Sequence, residues 1–155
     1  MLKWLWLSLL VIVLDQATKA VASAYLGLHE PVAIIPMFNL TLLHNTGAAF
    51  SFLGNAGGWQ RWLFVVIALA VSSGLVWWLR QLPRTDTWLA IALALVLGGA
   101  LGNVWDRVYL GYVVDFIDVY YGSHHWPAFN VADSAISVGA VMLLLDALRG
   151  RRRIS

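Results

Sequence analysis

The sequence predicts an all-α integral membrane protein of four transmembrane helices. Hydrophobic residues make up 61% of the chain and charged residues only 12%, about half the charged share of a soluble domain. The mean hydropathy is +0.76. The apolar residues fall into four segments of spanning length, and 155 residues leave room for roughly four spans of about 20 residues in a single domain, 1–155.

The first segment, Trp4 to Tyr25, is interrupted by Asp15 and Lys19. These stand at i and i+4, share a helix face and can pair, which is how charges at membrane depth are tolerated. Lys3, the apolar run to Leu14 and Ala22-Ser23-Ala24 imitate a secretory signal with its small-residue cleavage site. Asp15 and Lys19 sit badly in the late part of such a signal, so the segment reads as a retained helix. Residues 26–58 carry Pro31, Pro36, Asn39, Asn45 and five glycines. Within them Phe38-Asn39-Leu40-Thr41-Leu42 alternates weakly, which suits a short strand or hairpin lying on the membrane.

The second span covers 59–79, residues 80–87 form a tight polar loop, and the third span covers 88–104. Gly98 and Gly102 give the third a small-xxx-small spacing suited to close helix packing. Residues 106–128 are rich in Tyr and Trp, as at a membrane interface, with Val113 to Ile117 as a candidate strand. The fourth span covers 131–148. Lys3, the loop residues Arg80 and Arg84, and Arg149, Arg151, Arg152 and Arg153 all fall on one side. The positive-inside rule makes that side the cytoplasm, with both termini on it and with 26–58 and 106–128 outside. Basic residues grouped this way are topology determinants, not a nucleic-acid surface.

Two aspartates then stand out, Asp115 in Val113-Val114-Asp115-Phe116 and Asp133 in Asn130-Val131-Ala132-Asp133. An ionised group in or beside a bilayer costs a few kcal/mol unless paired or wet, so its default reading is functional. Two adjacent carboxylates share a proton: one takes a proton from water while the other polarises a carbonyl, which hydrolyses an amide without a covalent intermediate. Each residue also has a structural reading. Asn130 with Asp133 three residues on fits a helix cap, and an acid in the first turn suits the helix dipole. Asp115 fits an exposed strand face. Asp118 and Asp106 are weaker candidates, and Asp106 can pair with Arg107.

Further polar residues surround these. Asn130 can orient Asp133 or cap its helix. Arg107 needs an acceptor, whether a backbone carbonyl, Asp106 or a lipid phosphate, or else snorkels to the interface. Asn103 can bond between helices or to substrate, and Lys19 with Asp15 makes a structural ion pair. Gly47-Ala48-Ala49 lets backbone approach a peptide closely or forms an ordinary turn.

Other chemistries find little support. With no cysteine, disulfides and thiol catalysis are excluded. His124 and His125 are adjacent and do not make a spaced ligand pair, so no metal is expected. Ser51, Ser123 and Ser134 lie in no nucleophile-elbow pattern, and nothing is read from the sequon Asn39-Leu40-Thr41. A four-helix proton-coupled transporter would place charges at the bilayer midplane and often carry an internal repeat, neither of which is seen. A purely structural membrane subunit leaves the polar motifs unexplained.

Five motifs stand in one order: Asp15-Gln16-Ala17-Thr18-Lys19, Asn45-Thr46-Gly47-Ala48-Ala49-Phe50-Ser51, Gly102-Asn103-Val104-Trp105-Asp106-Arg107, Val113-Val114-Asp115-Phe116 and Phe129-Asn130-Val131-Ala132-Asp133-Ser134. In this the chain resembles lipoprotein signal peptidase (signal peptidase II) over nearly its whole length. The resemblance implies an aspartic endopeptidase of the bacterial inner membrane that removes signal peptides from diacylglyceryl-modified prolipoproteins, cutting just before the lipidated cysteine. It implies Asp115 and Asp133 as the catalytic dyad near the outer face, and Asp15, Lys19, Asn45, Gly47, Asn103, Arg107 and Asn130 as supporting residues. It also implies a small external sheet, an external arm between helices three and four, contact with membrane lipid and binding of globomycin-type inhibitors at the dyad. No cofactor is expected, and the chain is expected to act as a monomer.

Overall fold

The computed structural model describes residues 1–47 and 58–151. Ala48, Ala49, Phe50 and Ser51 of the second motif lie outside the described residues, as do Arg152 and Arg153. A short 3-10 turn, Leu2–Trp4, leads into α1 (Leu5–Tyr25). Strands β1 (Pro31–Ile35) and β2 (Phe38–Asn45) follow, then α2 (Gln60–Gln81) and α3 (Thr87–Tyr109). Strands β3 (Val113–Tyr121) and β4 (His124–His125) precede α4 (Val131–Arg151). Among the described residues four helices are long and apolar enough to cross a membrane. The protein is an integral membrane protein.

An all-α class is too narrow a description, because the four strands form an antiparallel sheet in the order β1-β2-β3-β4. The weak alternation at Phe38–Leu42 marks β2, and Val113–Ile117 begins the longer β3. A shift of register between Leu40 and Leu43 sets Leu43 opposite Asp115 and Asn45 opposite Val113. Pro31, with no N–H to donate, opens the edge strand β1, where the loss is harmless.

The third span also differs from expectation, since α3 continues past Val104 to Tyr109 and holds Asp106 and Arg107 in its last turns. Apolar periodicity ends at the first charge, but a charge with a buried partner does not end a helix, and Asp106 has one in Lys19 at 2.8 Å.

Helix α3 is the centre of the bundle and packs against α1, α2 and α4. Its buried face is built from small residues, including Ala90, Ala94, Gly98, Gly99 and Gly102. A methyl group on Gly98 would lie 2.8 Å from the Ser8 carbonyl oxygen, and one on Gly99 would run into the Ala132 carbonyl oxygen. On α4, Gly139 returns the contact, with the Ala92 carbonyl oxygen 2.7 Å from such a methyl. Backbones this close gain dispersion and tolerate buried polar side chains between them, such as Ser8, which donates to the Ala94 carbonyl at 2.8 Å. The outward faces carry large apolar side chains, Val66, Trp77, Val141 and Leu144 among them, as lipid contact requires.

At the end away from the sheet, Leu79, Leu82, Ala90 and Leu93 make a compact cluster under Trp4 and Leu5. The loop between α2 and α3 is short, and α3 opens with the Ala90 N–H donating to the backbone carbonyl of Asp86 at 3.0 Å, without a side-chain cap. All the polar motifs of the sequence gather at the opposite end.

Gly99→Val should cost several kcal/mol through overpacking and backbone displacement, lowering the unfolding temperature in detergent. Gly74→Ala in α2, where the added methyl meets nothing within 4 Å, should instead raise stability by about 0.5–1 kcal/mol through helix propensity.

Candidate active site

Lys19 organises the polar interior. Its ammonium lies 2.7 Å from Asp15 Oδ2, 2.8 Å from Asp106 Oδ2 and 3.0 Å from Asn103 Oδ1, so its three donors find three acceptors. Lys19 is therefore more than the local i, i+4 partner of Asp15, because it joins α1 to α3. Both carboxylates are buried and fully engaged. Asp15 Oδ1 accepts the Ala132 N–H at 2.9 Å, which ties it to the first turn of α4. Asp106 accepts the Val114 N–H at 3.1 Å and the Gln16 amide at 2.8 Å.

Asparagines carry this order to Asp115 and Asp133. The Asn103 amide, its oxygen held by Lys19, donates to Asp133 Oδ1 at 2.7 Å. Asn130 is buried and works at both ends. Its oxygen accepts the Asp133 N–H at 2.9 Å as a helix cap, and its amide donates to Asp115 Oδ1 at 2.8 Å. The capping reading of Asn130 holds, whereas the carboxylate it orients is that of Asp115 and not that of Asp133, which Asn103 holds instead. The reciprocal half of a capping box does not form, because the Asp133 carboxylate goes to Asn103. Asn45 donates to Asp115 Oδ2 at 3.0 Å while accepting the Gly47 N–H at 3.0 Å.

Arg107 finds backbone carbonyl partners, Gly47 at 2.8 Å and Asn103 at 3.4 Å, and its guanidinium lies 5.2 Å from the centre of the Phe64 ring. Of the acceptors open to it on paper, a carbonyl is the one used. Asp106 turns instead to Lys19.

Asp115 and Asp133 both line one cleft of about 880 Å³, together with Asn45, Asn103 and Arg107. Residues 126–129 supply an apolar wall and Ser137 with Val138 extend the lining along α4. Burial and the neighbouring Asp133 carboxylate push the Asp115 carboxyl up to about 7, against the opposing pull of the Asn45 and Asn130 hydrogen bonds. Asp115 is thus poised to take up or release a proton near neutral pH in the space it shares with Asp133.

Two residues have more weight here than the sequence suggested. Asp106 is a buried member of the Lys19 cluster, and Gln16 fastens it to α1. Their signal was an amide next to an acid inside an apolar span, and an acid three residues after Asn103 on one helical face. Asp118 is buried too, accepting from Thr41 Oγ1 at 2.9 Å and Asn39 at 3.3 Å, with His125 Nδ1 at 2.7 Å. Burial works against its charged form, but these hydrogen bonds outweigh it and hold the carboxyl below the usual range. Ser134 donates its hydroxyl to the Asn130 carbonyl at 2.9 Å, the work of a helix residue.

A family model described as signal peptidase (SPase) II matches residues 7–149. The chain belongs to the signal peptidase II family. It is 60% identical over 153 residues to the lipoprotein signal peptidase of Pseudomonas putida, covering 97% of this chain and 90% of that one. To the lipoprotein signal peptidase of Pseudomonas aeruginosa it is 58% identical over 153 residues, with the same coverage. A solved structure described as a bacterial membrane enzyme, determined by the in meso method at 2.3 Å resolution, superposes with a TM-score of 0.89 at 28% identity. It covers 100% of this chain and 93% of its own. Membership of signal peptidase II decides for an enzyme, a peptidase, over the carrier and the structural subunit.

Lys19→Met leaves Asp15 and Asp106 buried without their cation. Such an uncompensated charge should cost about 3–5 kcal/mol, read as a lower unfolding temperature in detergent at neutral pH.

Proposed function

We propose that Asp115 and Asp133 are the catalytic dyad of an intramembrane aspartic endopeptidase that cuts diacylglyceryl-modified prolipoproteins just before the lipidated cysteine. The observation that carries this reading is the convergence of two carboxylates, one from β3 and one from the first turn of α4, on a single cleft. Each is held by a neutral amide, from Asn130 and Asn103 respectively.

The pair shares one proton and titrates as a unit. Its ionised member takes a proton from water, whose oxygen bonds to the scissile carbonyl carbon. The protonated member gives its proton to the carbonyl oxygen as that oxygen gains charge. When the C–N bond breaks, the amine nitrogen takes the proton that came from water, and the carbonyl oxygen returns the other to the dyad. The Asn45, Asn103 and Asn130 amides fix both carboxyls without adding positive charge. Arg107 and Gly47 anchor the first connecting segment beside the cleft, and Asp15 with Lys19 supports the whole from α1.

The chain acts as a single peptidase domain and as a monomer in the bacterial inner membrane, with both termini cytoplasmic. Lys3, Arg80, Arg84 and Arg149 support this orientation, since all lie at the helix ends opposite the sheet. The sheet, the β3–β4 arm between α3 and α4, and the cleft then face the outer leaflet. A precursor held there by its acyl chains presents the scissile bond at that depth, and globomycin-type inhibitors compete for the dyad.

The test is cleavage of a diacylglyceryl-modified prolipoprotein by purified protein in detergent. Wild type should cut before the modified cysteine, while Asp115→Asn and Asp133→Asn, folded as judged by unfolding temperature, should each lose at least about 10³-fold in kcat. Variants that turn over at the wild-type rate would remove the dyad assignment. The pH profile gives a second check. A carboxyl with its pKa raised to about 7 is protonated below that value, so kcat/KM should fall as pH rises above about 7, roughly tenfold per unit.

A further inference from the structure

The wall of the cleft formed by residues 126–129 belongs to no helix and leaves the sheet directly after β4. It is apolar, being Trp126, Pro127, Ala128 and Phe129, and it ends at Asn130, whose amide holds Asp115. Its backbone is attached to β3 at one end by the Trp126 N–H on the Val119 carbonyl at 2.8 Å, and at the other by Phe129, whose N–H donates to the Ile117 carbonyl at 3.1 Å and whose carbonyl accepts the Phe116 and Ile117 N–H groups at 3.1 and 2.9 Å. The Trp126 end is the weaker of the two, since strand β4 before it is only two residues long and the Trp126 N–H adds one backbone bond to β3.

A side-chain clamp reinforces that end. Asp118 is buried in the middle of β3, and one of its oxygens lies 2.7 Å from His125 Nδ1. The other accepts from Thr41 and Asn39 of β2. One carboxylate thus joins β2 to β4 across β3. Tyr120, the register partner of His125, stacks on the imidazole with centroids 5.2 Å apart and planes 20° apart. The residue after His125 is the first of the wall.

We propose that His125 and Asp118 are positioning residues that hold the 126–129 wall against the cleft for the apolar part of the substrate. The wall offers aromatic and aliphatic surface and no charge, so the matching chemistry is an acyl chain or an apolar side chain next to the scissile bond. This rests on the peptidase reading. It assigns the clamp a role in substrate binding and none in the chemical step, because neither His125 nor Asp118 lines the cleft.

The experiment compares wild type, His125→Ala and His125→Asn in detergent, by steady-state cleavage of a diacylglyceryl-modified prolipoprotein and by amide hydrogen exchange over 126–129. His125 is half exposed, so both variants should fold. Asn places an amide donor where Nδ1 stood and is the conservative replacement. The expected result for His125→Ala is a KM raised about tenfold, the worth of a hydrogen bond to a charged acceptor, with kcat within about twofold. Exchange at Trp126 and Phe129 should be faster in His125→Ala, and His125→Asn should return both readouts to near wild type.

An unchanged KM with unchanged exchange would overturn the proposal, as would a fall in kcat with KM unmoved. Failure of His125→Asn to restore what His125→Ala loses would also overturn it, since the hydrogen bond would not then be the cause. A wild type that cuts nothing would overturn the peptidase reading and the substrate role together. A wild type that cuts, with His125→Ala at wild-type KM, would remove this inference alone.

Discussion

One buried ammonium sets the geometry of the polar end of this bundle. Lys19 is met by Asp15, Asp106 and Asn103, and each acceptor has a second task. Asp15 fixes the first turn of α4, Asp106 fixes the start of β3, and Asn103 reaches Asp133. A cluster of this kind is not a strong source of net stability, because desolvation offsets much of the attraction. What it supplies is registry between α1, α3, α4 and β3, elements whose apolar surfaces alone would slide. The small-residue face of α3 makes the cluster feasible by bringing the helix axes close enough for side chains as short as aspartate and asparagine to meet.

The asparagines are chemically suited to that setting. Asn45, Asn103 and Asn130 orient carboxyls by donating hydrogen bonds, yet none brings a full positive charge beside them. An Arg or Lys at those positions would hold both carboxylates ionised and deprive the pair of a proton near neutral pH. The nearest cation in the cleft wall, Arg107, is turned to the Gly47 and Asn103 carbonyls instead.

Much of this was legible in the sequence because lipid is a severe solvent. Four apolar runs gave four helices, and several acids inside or beside them drew attention by the cost of leaving them unpartnered. Asp15, Lys19, Asp115 and Asp133 were found in that way, Asn130 by a capping pattern and Asn103 by the family resemblance, and the structure brings all six into one connected network. The end of α3 was harder to read, because hydropathy cannot distinguish a charge that terminates a helix from one whose partner lies 87 residues away, as Lys19 does from Asp106. For the same reason Asp106 looked peripheral and Gln16 drew no notice. The extent of the sheet was obscured as well. Strand β1 shows no alternation, and β2 changes register between Leu40 and Leu43, which breaks the period that a reader of sequence relies on. Asp118 and His125 were unreadable together, since only the register of β3 and β4 brings them into contact.

Strand β1 lies at the outer edge of the sheet, and its side chains Val32, Ile34 and Ile35 are exposed along with it. The side chains favour hydrocarbon, but among the described residues no further strand pairs with this edge, and unpaired backbone N–H and C=O groups favour water or lipid headgroups. The two demands are met together in a narrow layer at the boundary of the bilayer. A strand with both demands is best satisfied where hydrocarbon meets water, and Asp115 lies two strands inward from it in the same sheet.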